Sequence, residues 1–168
     1  MTDMFLDYQG LRVRLGTGLI IFNSDCDVLV GESYRKLPAV WHLPQAGDIQ
    51  GLSPYANAMR VAKREIGLWS HQLWFIGFAP TETLYELHGN GPFASRREYQ
   101  AQMHRWAVFR YLNHDRLPPV SLSEDSHFDE DNRFVSLRWA AIDWTLENCE
   151  IFKYQPYATA LDEAVTML

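Results

Sequence analysis

The stretch from Ser53 to Gly67 carries start and stop signals for one helix, and it lies between β-rich runs. Ser53 supplies a side-chain cap, Pro54 suits the first helical position, and Gly67 suits the turn that ends a helix. Within it Ala58, Met59, Ala62 and Ile66 form the stripe expected to be buried, while Asn57, Val61, Arg64 and Glu65 turn largely elsewhere. Upstream, "GTGLIIFNSDCDVLVGESY" (16–34) reads as a hairpin around a polar turn at Asn23–Asp27, and "WHLPQAGDIQG" as loop punctuation. Downstream, "QLWFIGFA" (72–79), "TLYEL" (83–87), "RWAVFRYL" (105–112) and "FVSLRWAAI" (134–142) read as strands. In "QPYATALDEAVTML" (155–168), Tyr157, Leu161, Ala164, Val165 and Leu168 recur at helical spacing behind Pro156. This order predicts an α+β fold, with a mixed β-sheet packed between α-helices as an α/β/α sandwich.

A chain of 168 residues fits a single domain over 1–168, with its core from about residue 12 onward. Aromatic residues are plentiful, and Trp41, Trp106 and Trp139 are assigned to the core. The net charge of −6 argues against a nonspecific nucleic-acid binder. The acid is concentrated in "NHDRLPPVSLSEDSHFDEDNR" (113–133), a predicted loop, and the rest of the chain is close to neutral. That leaves room for a local basic pocket. The two cysteines, Cys26 and Cys149, make neither a disulfide framework nor a metal motif, and the six histidines lack the spacing of a zinc site. "MTDMFLDYQG" has no apolar run of the signal-peptide kind, and no segment is long enough to span a bilayer. A cytoplasmic protein without a membrane partner is the expectation.

Residues 46–68 resemble the Nudix box, G-x5-E-x7-R-E-U-x-E-E-x-G-U, in which U is a bulky aliphatic residue. Laid on it without gaps, Ala46 falls on the first Gly and Leu52 on the first Glu. Arg60 falls on the Arg, Val61, Arg64 and Glu65 on the three later Glu positions, and Gly67 and Leu68 close the box. The flanks carry more of the likeness. "WHLPQAGDIQG" is similar to the W-x-x-P-Q-G-G-I-x-x-G run of the RNA pyrophosphohydrolase branch, which includes the diadenosine tetraphosphate hydrolases. "RFVSLRWAAI" resembles that branch's strand before its last helix, and "IFKYQPY" its S-F-K-R-D-V-Y segment. The resemblance spans roughly residues 12 to 166.

It implies Mg²⁺- or Mn²⁺-assisted attack of water on a phosphorus atom. Carboxylates at i, i+3 and i+4 share one side of a helix and converge on hard cations. The cations neutralise a pyrophosphate and acidify a water nucleophile. Here Val61 has no lone pair, and Arg64 has only donors and a permanent charge. A unit charge about 4 Å from a dication is repelled by roughly 8 kcal/mol at an effective dielectric near 20. Arg133 falls where the branch has a downstream acid. Glu65 is the residual catalytic position of the box. Asp48, Glu82, Glu86 and Glu98 are the carboxylates that could substitute.

The resemblance also assigns ligand contacts. Arg14, read as lying just before the first strand, and Arg35 match arginines that contact phosphates. Gln45 falls on the Gln of the P-Q motif and Tyr85 matches a tyrosine. Phe152 and Lys153 match a Phe-Lys pair whose Phe stacks on a base. Arg64 either places a guanidinium where the metal sat, gripping phosphate oxygens, or simply pairs with Glu65. Arg60 matches an arginine that orients a catalytic Glu. Each ligand contact has a plainer alternative: solvated arginines at Arg14 and Arg35, a core ring at Phe152. Arg96 and Arg97, in the 88–99 insertion, are further basic candidates.

Three functions follow as expectations. The first is a non-catalytic binder of a nucleotide polyphosphate or a 5′-phosphorylated RNA end, needing no cofactor. The second is an active hydrolase of RNA 5′-triphosphate or dinucleoside polyphosphates, using Mg or Mn held by acids outside the box. A protein partner is the third, with the acidic loop as its contact surface.

Overall fold

The computed structural model describes residues 2–33, 38–87, 98–113, 116–118 and 134–168. Arg35, Arg96, Arg97, Arg133 and most of the acidic loop lie outside them. Nine strands form one sheet: β1 (Phe5–Tyr8), β2 (Leu11–Phe22), β3 (Val28–Ser33), β4 (Trp41–His42), β5 (Gln45–Gly47), β6 (Leu73–Phe78), β7 (Thr83–Glu86), β8 (Ala101–Tyr111) and β9 (Phe134–Ala140). Among the described residues three α-helices complete it: α1 (Pro54–Ile66), α2 (Ile142–Asn148) and α3 (Tyr154–Thr166). The long central pair, β2 and β8, runs parallel, and every other named pair is antiparallel. The sheet is therefore mixed, as the sequence predicted.

Alternation along β2 and β8 divides the molecule into two cores. Leu19 and Ile21, with Ala107, Phe109 and Tyr111, face α1 and pack on Ala58, Val61, Ala62 and Ile66. Ile20 and Phe22, with Trp106 and Val108, face the other way and pack on Tyr157, Ala160, Leu161 and Ala164 of α3. Trp41, Trp144 and Leu146 flank that second core. One helix on one face and two on the other make the expected α/β/α sandwich. At Gly18 a Cβ would fall inside the Trp106 ring, so this backbone must be bare for the indole to lie flat on the sheet.

The box helix starts and stops where its signals stand. Ser53 Oγ accepts from the Ala56 amide at 3.1 Å, and Gly67 takes the left-handed conformation at φ 67°. Its buried face is broader than the periodicity predicted. Val61 is fully buried among apolar side chains and Asn57 is also buried, its Oδ1 accepting from the Ile49 amide at 3.0 Å. A short helix lying flat on the sheet buries a wide arc, and Asn57 joins it by capping the loop before it.

Other expectations need correction. Val165 and Leu168 are exposed, and α3 turns Pro156 and Ala160 inward instead. The "loop punctuation" contains β4 and β5, too short to show a period. β1 and α2 went unpredicted, and Arg14 lies inside β2 rather than before a strand. The predicted hairpin pairs only at Phe22 opposite Val28, because β5 then takes the place beside β2, with Gln45 opposite Gly18 and Gly47 opposite Gly16. Of the three tryptophans assigned to the core, only Trp106 is fully buried. Trp41 and Trp139 are partly buried at its margins.

Candidate functional site

On the α3 side of the sheet β2 carries Gly16 and Gly18, and side chains from five elements meet around them. β2 brings Arg14, and β5 brings Gln45. β8 brings Gln102 and His104, with β7 placing Tyr85 directly opposite Gln102. The 3₁₀ turn Ile151–Lys153, leading into α3, brings Phe152 and Lys153. Gln45 Nε2 donates to the Tyr85 hydroxyl at 2.9 Å, which donates to Gln102 Oε1 at 2.9 Å. Gln102 Nε2 in turn donates to the Tyr99 hydroxyl at 3.3 Å, and Arg14 Nη1 donates to the same oxygen at 3.2 Å. One hydrogen-bonded chain thus links four strand-borne side chains and Tyr99.

Rings line the same space. The Tyr85 ring stacks on His104, centroids 5.5 Å apart, and tilts against Phe152 at 5.6 Å. Lys153 is buried, with Nζ 3.2 Å from His42 Nδ1, 4.0 Å from Glu150 and 5.5 Å from the centre of the Tyr85 ring. Burial, with the Lys153 and Arg14 charges added, holds the His104 imidazole down to about 3, so it is neutral. Burial likewise pushes the Tyr85 phenol up, against the pull of its bond with Gln45. His104 Nδ1 has no hydrogen-bond partner among the described residues. The site is a cluster of uncharged donors, acceptors and rings edged by two cations, chemistry that suits a base or sugar joined to an anionic group.

The box helix lies on the opposite face of the sheet. Arg60 Nη2 donates to the Gly47 carbonyl. Burial and the neighbouring Arg64 lower the Arg60 pKa, opposed by Asp48, Glu65 and Asp3. Asp48 is buried and its Oδ1 accepts from the Thr17 hydroxyl at 2.6 Å. Glu65 is largely covered and lies 3.5 Å from the half-exposed Arg64. Arg60 is thus bonded first to backbone, where sequence reasoning gave it a carboxylate partner. The two faces meet at Gly47, whose missing Cβ leaves the space occupied by the Arg14 guanidinium. Arg14 Nη2 is ion-paired there with Asp3 at 2.9 Å.

The structure therefore gathers Arg14, Gln45, Tyr85, Phe152 and Lys153 into one place, and puts Arg64 and Glu65 on the far side of the β2–β5 edge. Phe152 is neither core nor free: it is half-buried against Tyr85. Asp3, His42, Tyr99, Gln102 and His104 escaped sequence reasoning. The last two had a visible signal, since Gln102, His104 and Trp106 alternate along one strand with a side chain deep in the core. Among the described residues, no group of three or more His, Cys, Asp or Glu is arranged to hold a metal ion, and no helix is long and apolar enough to cross a membrane.

No protein-family model matches the chain. It is similar along its whole length to RNA pyrophosphohydrolases. That of Rickettsia africae is 27% identical over 175 residues, covering 100% of this chain and 99% of the relative. That of Bartonella bacilliformis is 24% identical over 174 residues, covering 96% of each. Among solved structures, E. coli dihydroneopterin triphosphate pyrophosphohydrolase superposes with a TM-score of 0.66 at 15% identity, over 89% of this chain and 96% of that one. A binary complex of C. elegans Ap4A hydrolase gives 0.60 at 13%, over 90% and 95%. A NUDIX hydrolase from Nitrosomonas europaea gives 0.61 at 12%, over 90% and 88%. The fold is the Nudix fold, and the chain's relatives in sequence are RNA pyrophosphohydrolases.

Proposed function

We propose that this Nudix-fold chain binds a nucleotide polyphosphate or the 5′-phosphorylated end of an RNA without hydrolysing it. The observation that carries the reading is the convergence of Gln45, Tyr85, Phe152 and Lys153, from separate segments, in one aromatic and polar cluster with Arg14 at its rim. A base stacks on the half-buried Phe152, which Tyr85 backs, Gln45 meets a polar edge, and Arg14 takes phosphate oxygens.

The box helix supports the second half of the reading. A dication needs several hard oxygens. Val61 is sealed in the apolar core, Glu65 keeps company with Arg64, and Asp48 is bonded to Thr17 with Arg60 near it. The described donor set does not fit Mg²⁺ or Mn²⁺, so we derive no step through a metal. Arg64, half-exposed beside Glu65, puts a fixed positive charge next to the one box carboxylate that remains, which disfavours a dication there. The names of the sequence relatives favour the second reading, a Mg- or Mn-dependent hydrolase of RNA 5′-triphosphate or dinucleoside polyphosphates. In that case acids such as Glu86 or Glu98 do the work of the box.

Thermal-shift and calorimetric titration with ATP, diadenosine tetraphosphate and a triphosphorylated RNA, each with Mg²⁺ and with EDTA, separates the two. Stabilisation that survives EDTA, without phosphate release, is the expected result. Metal-dependent turnover abolished by Glu65→Gln overturns it.

A further inference from the structure

The N-terminal arm, which the resemblance leaves unassigned, delivers a carboxylate to Arg14 at the rim of the cluster. Its backbone is zipped on both sides. Leu15 donates to the Met4 carbonyl at 2.9 Å, Met4 to Asp48 at 3.2 Å, and Gln50 to Thr2 at 2.9 Å. Asp3 bridges to Ile49, and β1 then runs antiparallel to β2 with Phe5 opposite Arg14. Asp3 is thus fixed at its own position, with its Oδ2 2.9 Å from Arg14 Nη2. The other Nη of the same guanidinium is bonded to Tyr99, and the group is backed against Gly47. Two of the Arg14 donors are therefore spent on the chain itself, one of them on an anion. Asp3 also acts on Arg60 from this position.

A carboxylate bound to an arginine fork uses the same donors, at the same distances, as a phosphate oxygen. Each Nη carries two N–H groups, so the competition is one of charge and approach: a carboxylate already seated on the fork repels a second anion and covers the side it lies on. The pair is also partly open to solvent, with side-chain exposures of 34% for Asp3 and 21% for Arg14, so an incoming anion can reach it. We propose that Asp3 is a ligand-competing residue, whose carboxylate occupies the place on Arg14 that a polyphosphate oxygen takes. The inference rests on the reading of Arg14 as a phosphate contact. Binding then exchanges one anion for another on a fixed cation, and affinity is held down by the strength of the internal pair. Asp7 is the matched control. It sits on the same arm, is exposed, and lies opposite Arg12 rather than Arg14.

The test measures the affinity of the full chain for inorganic tripolyphosphate and for ATP, in EDTA, in the D3N, D7N, R14Q and D3N/R14Q variants. Breaking a partly exposed pair is expected to tighten both ligands about two- to fivefold in D3N. D7N stays at the wild-type value, and the gain from D3N disappears in the R14Q background. The melting temperature of each variant checks that the fold is kept. Equal affinity in wild type and D3N overturns the inference, as does the same gain in D7N or a gain that survives R14Q. If D3N tightens tripolyphosphate but no nucleotide binds, the competition stands and the nucleotide reading falls. If ATP binds wild type and D3N alike, the nucleotide reading stands and the competition falls. If nothing binds any variant, both fall.

Discussion

Gln45 and Tyr85 lie forty residues apart in sequence and are joined side chain to side chain by a 2.9 Å hydrogen bond. That bond closes the gap between β5, which rides on β2, and β7, which rides on β8. The Tyr85 hydroxyl is both acceptor and donor in it, passing the chain on to Gln102. Tyr85→Phe removes one oxygen and strands the groups on either side. With both glutamines partly open to water, the expected cost is about 1–2 kcal/mol, read as a shift in the denaturant midpoint at unchanged slope.

Phe152 separates binding from stability. It is half-buried and touches Tyr85 at its ring, so Phe152→Ala leaves the core whole. If a base stacks there, affinity falls by about 1–3 kcal/mol while the melting temperature changes little. A variant that melts early but binds ATP as well as wild type would mark Phe152 as packing alone.

Restoring the box is expected to fail first on stability. Val61 is fully buried beside Leu19, Ile21 and Phe109. Val61→Glu puts a carboxyl into that core, and a loss of at least about 3 kcal/mol is expected in chemical denaturation. Arg64→Glu changes a half-exposed side chain and should cost under about 1 kcal/mol. Should Val61→Glu be tolerated, alone or with Arg64→Glu, and bring metal-dependent hydrolysis, position 61 opens onto a cleft and the non-catalytic reading fails.

His104 gives the chain an acid sensitivity of known sign. Folded, its imidazole stays neutral down to about pH 3, whereas the unfolded chain takes up that proton near 6.5. The unfolded state therefore binds more protons between those values, and stability falls as pH drops through that window. The slope is at most about 1.4 kcal/mol per pH unit for one proton. Denaturation of wild type and His104→Gln between pH 7 and 4.5 should diverge in this sense, with wild type losing more. Parallel curves would mean that the ring accepts a proton in place.

How much of this was legible depends on the length of the signal. α1 was readable because Ser53, Pro54 and Gly67 are local devices that act within one turn. β2, β3, β6, β8 and β9 were readable from apolar runs. β4 and β5 were not, since strands of two or three residues owe their existence to the partner they lie against. Val61 and Asn57 were misplaced for a related reason. A helix wheel gives a direction, but the width of the buried arc is set by the sheet beneath it. In the cluster, Gln45, Tyr85, Phe152 and Lys153 were named from resemblance, whereas Asp3 and Tyr99 act through contacts across the fold that no local pattern encodes.

The parallel ladder of β2 and β8 sets residues 13–22 alongside 101–110. Such a pairing closes a long loop before it returns any contact, which makes it late and slow to form. Gln45 and Tyr85 are each carried by a short strand on opposite sides of that ladder, so they meet only once it has zipped. A ligand that needs both residues will recognise the finished molecule and no folding intermediate, and its binding rate during refolding is a clock for the last step of assembly.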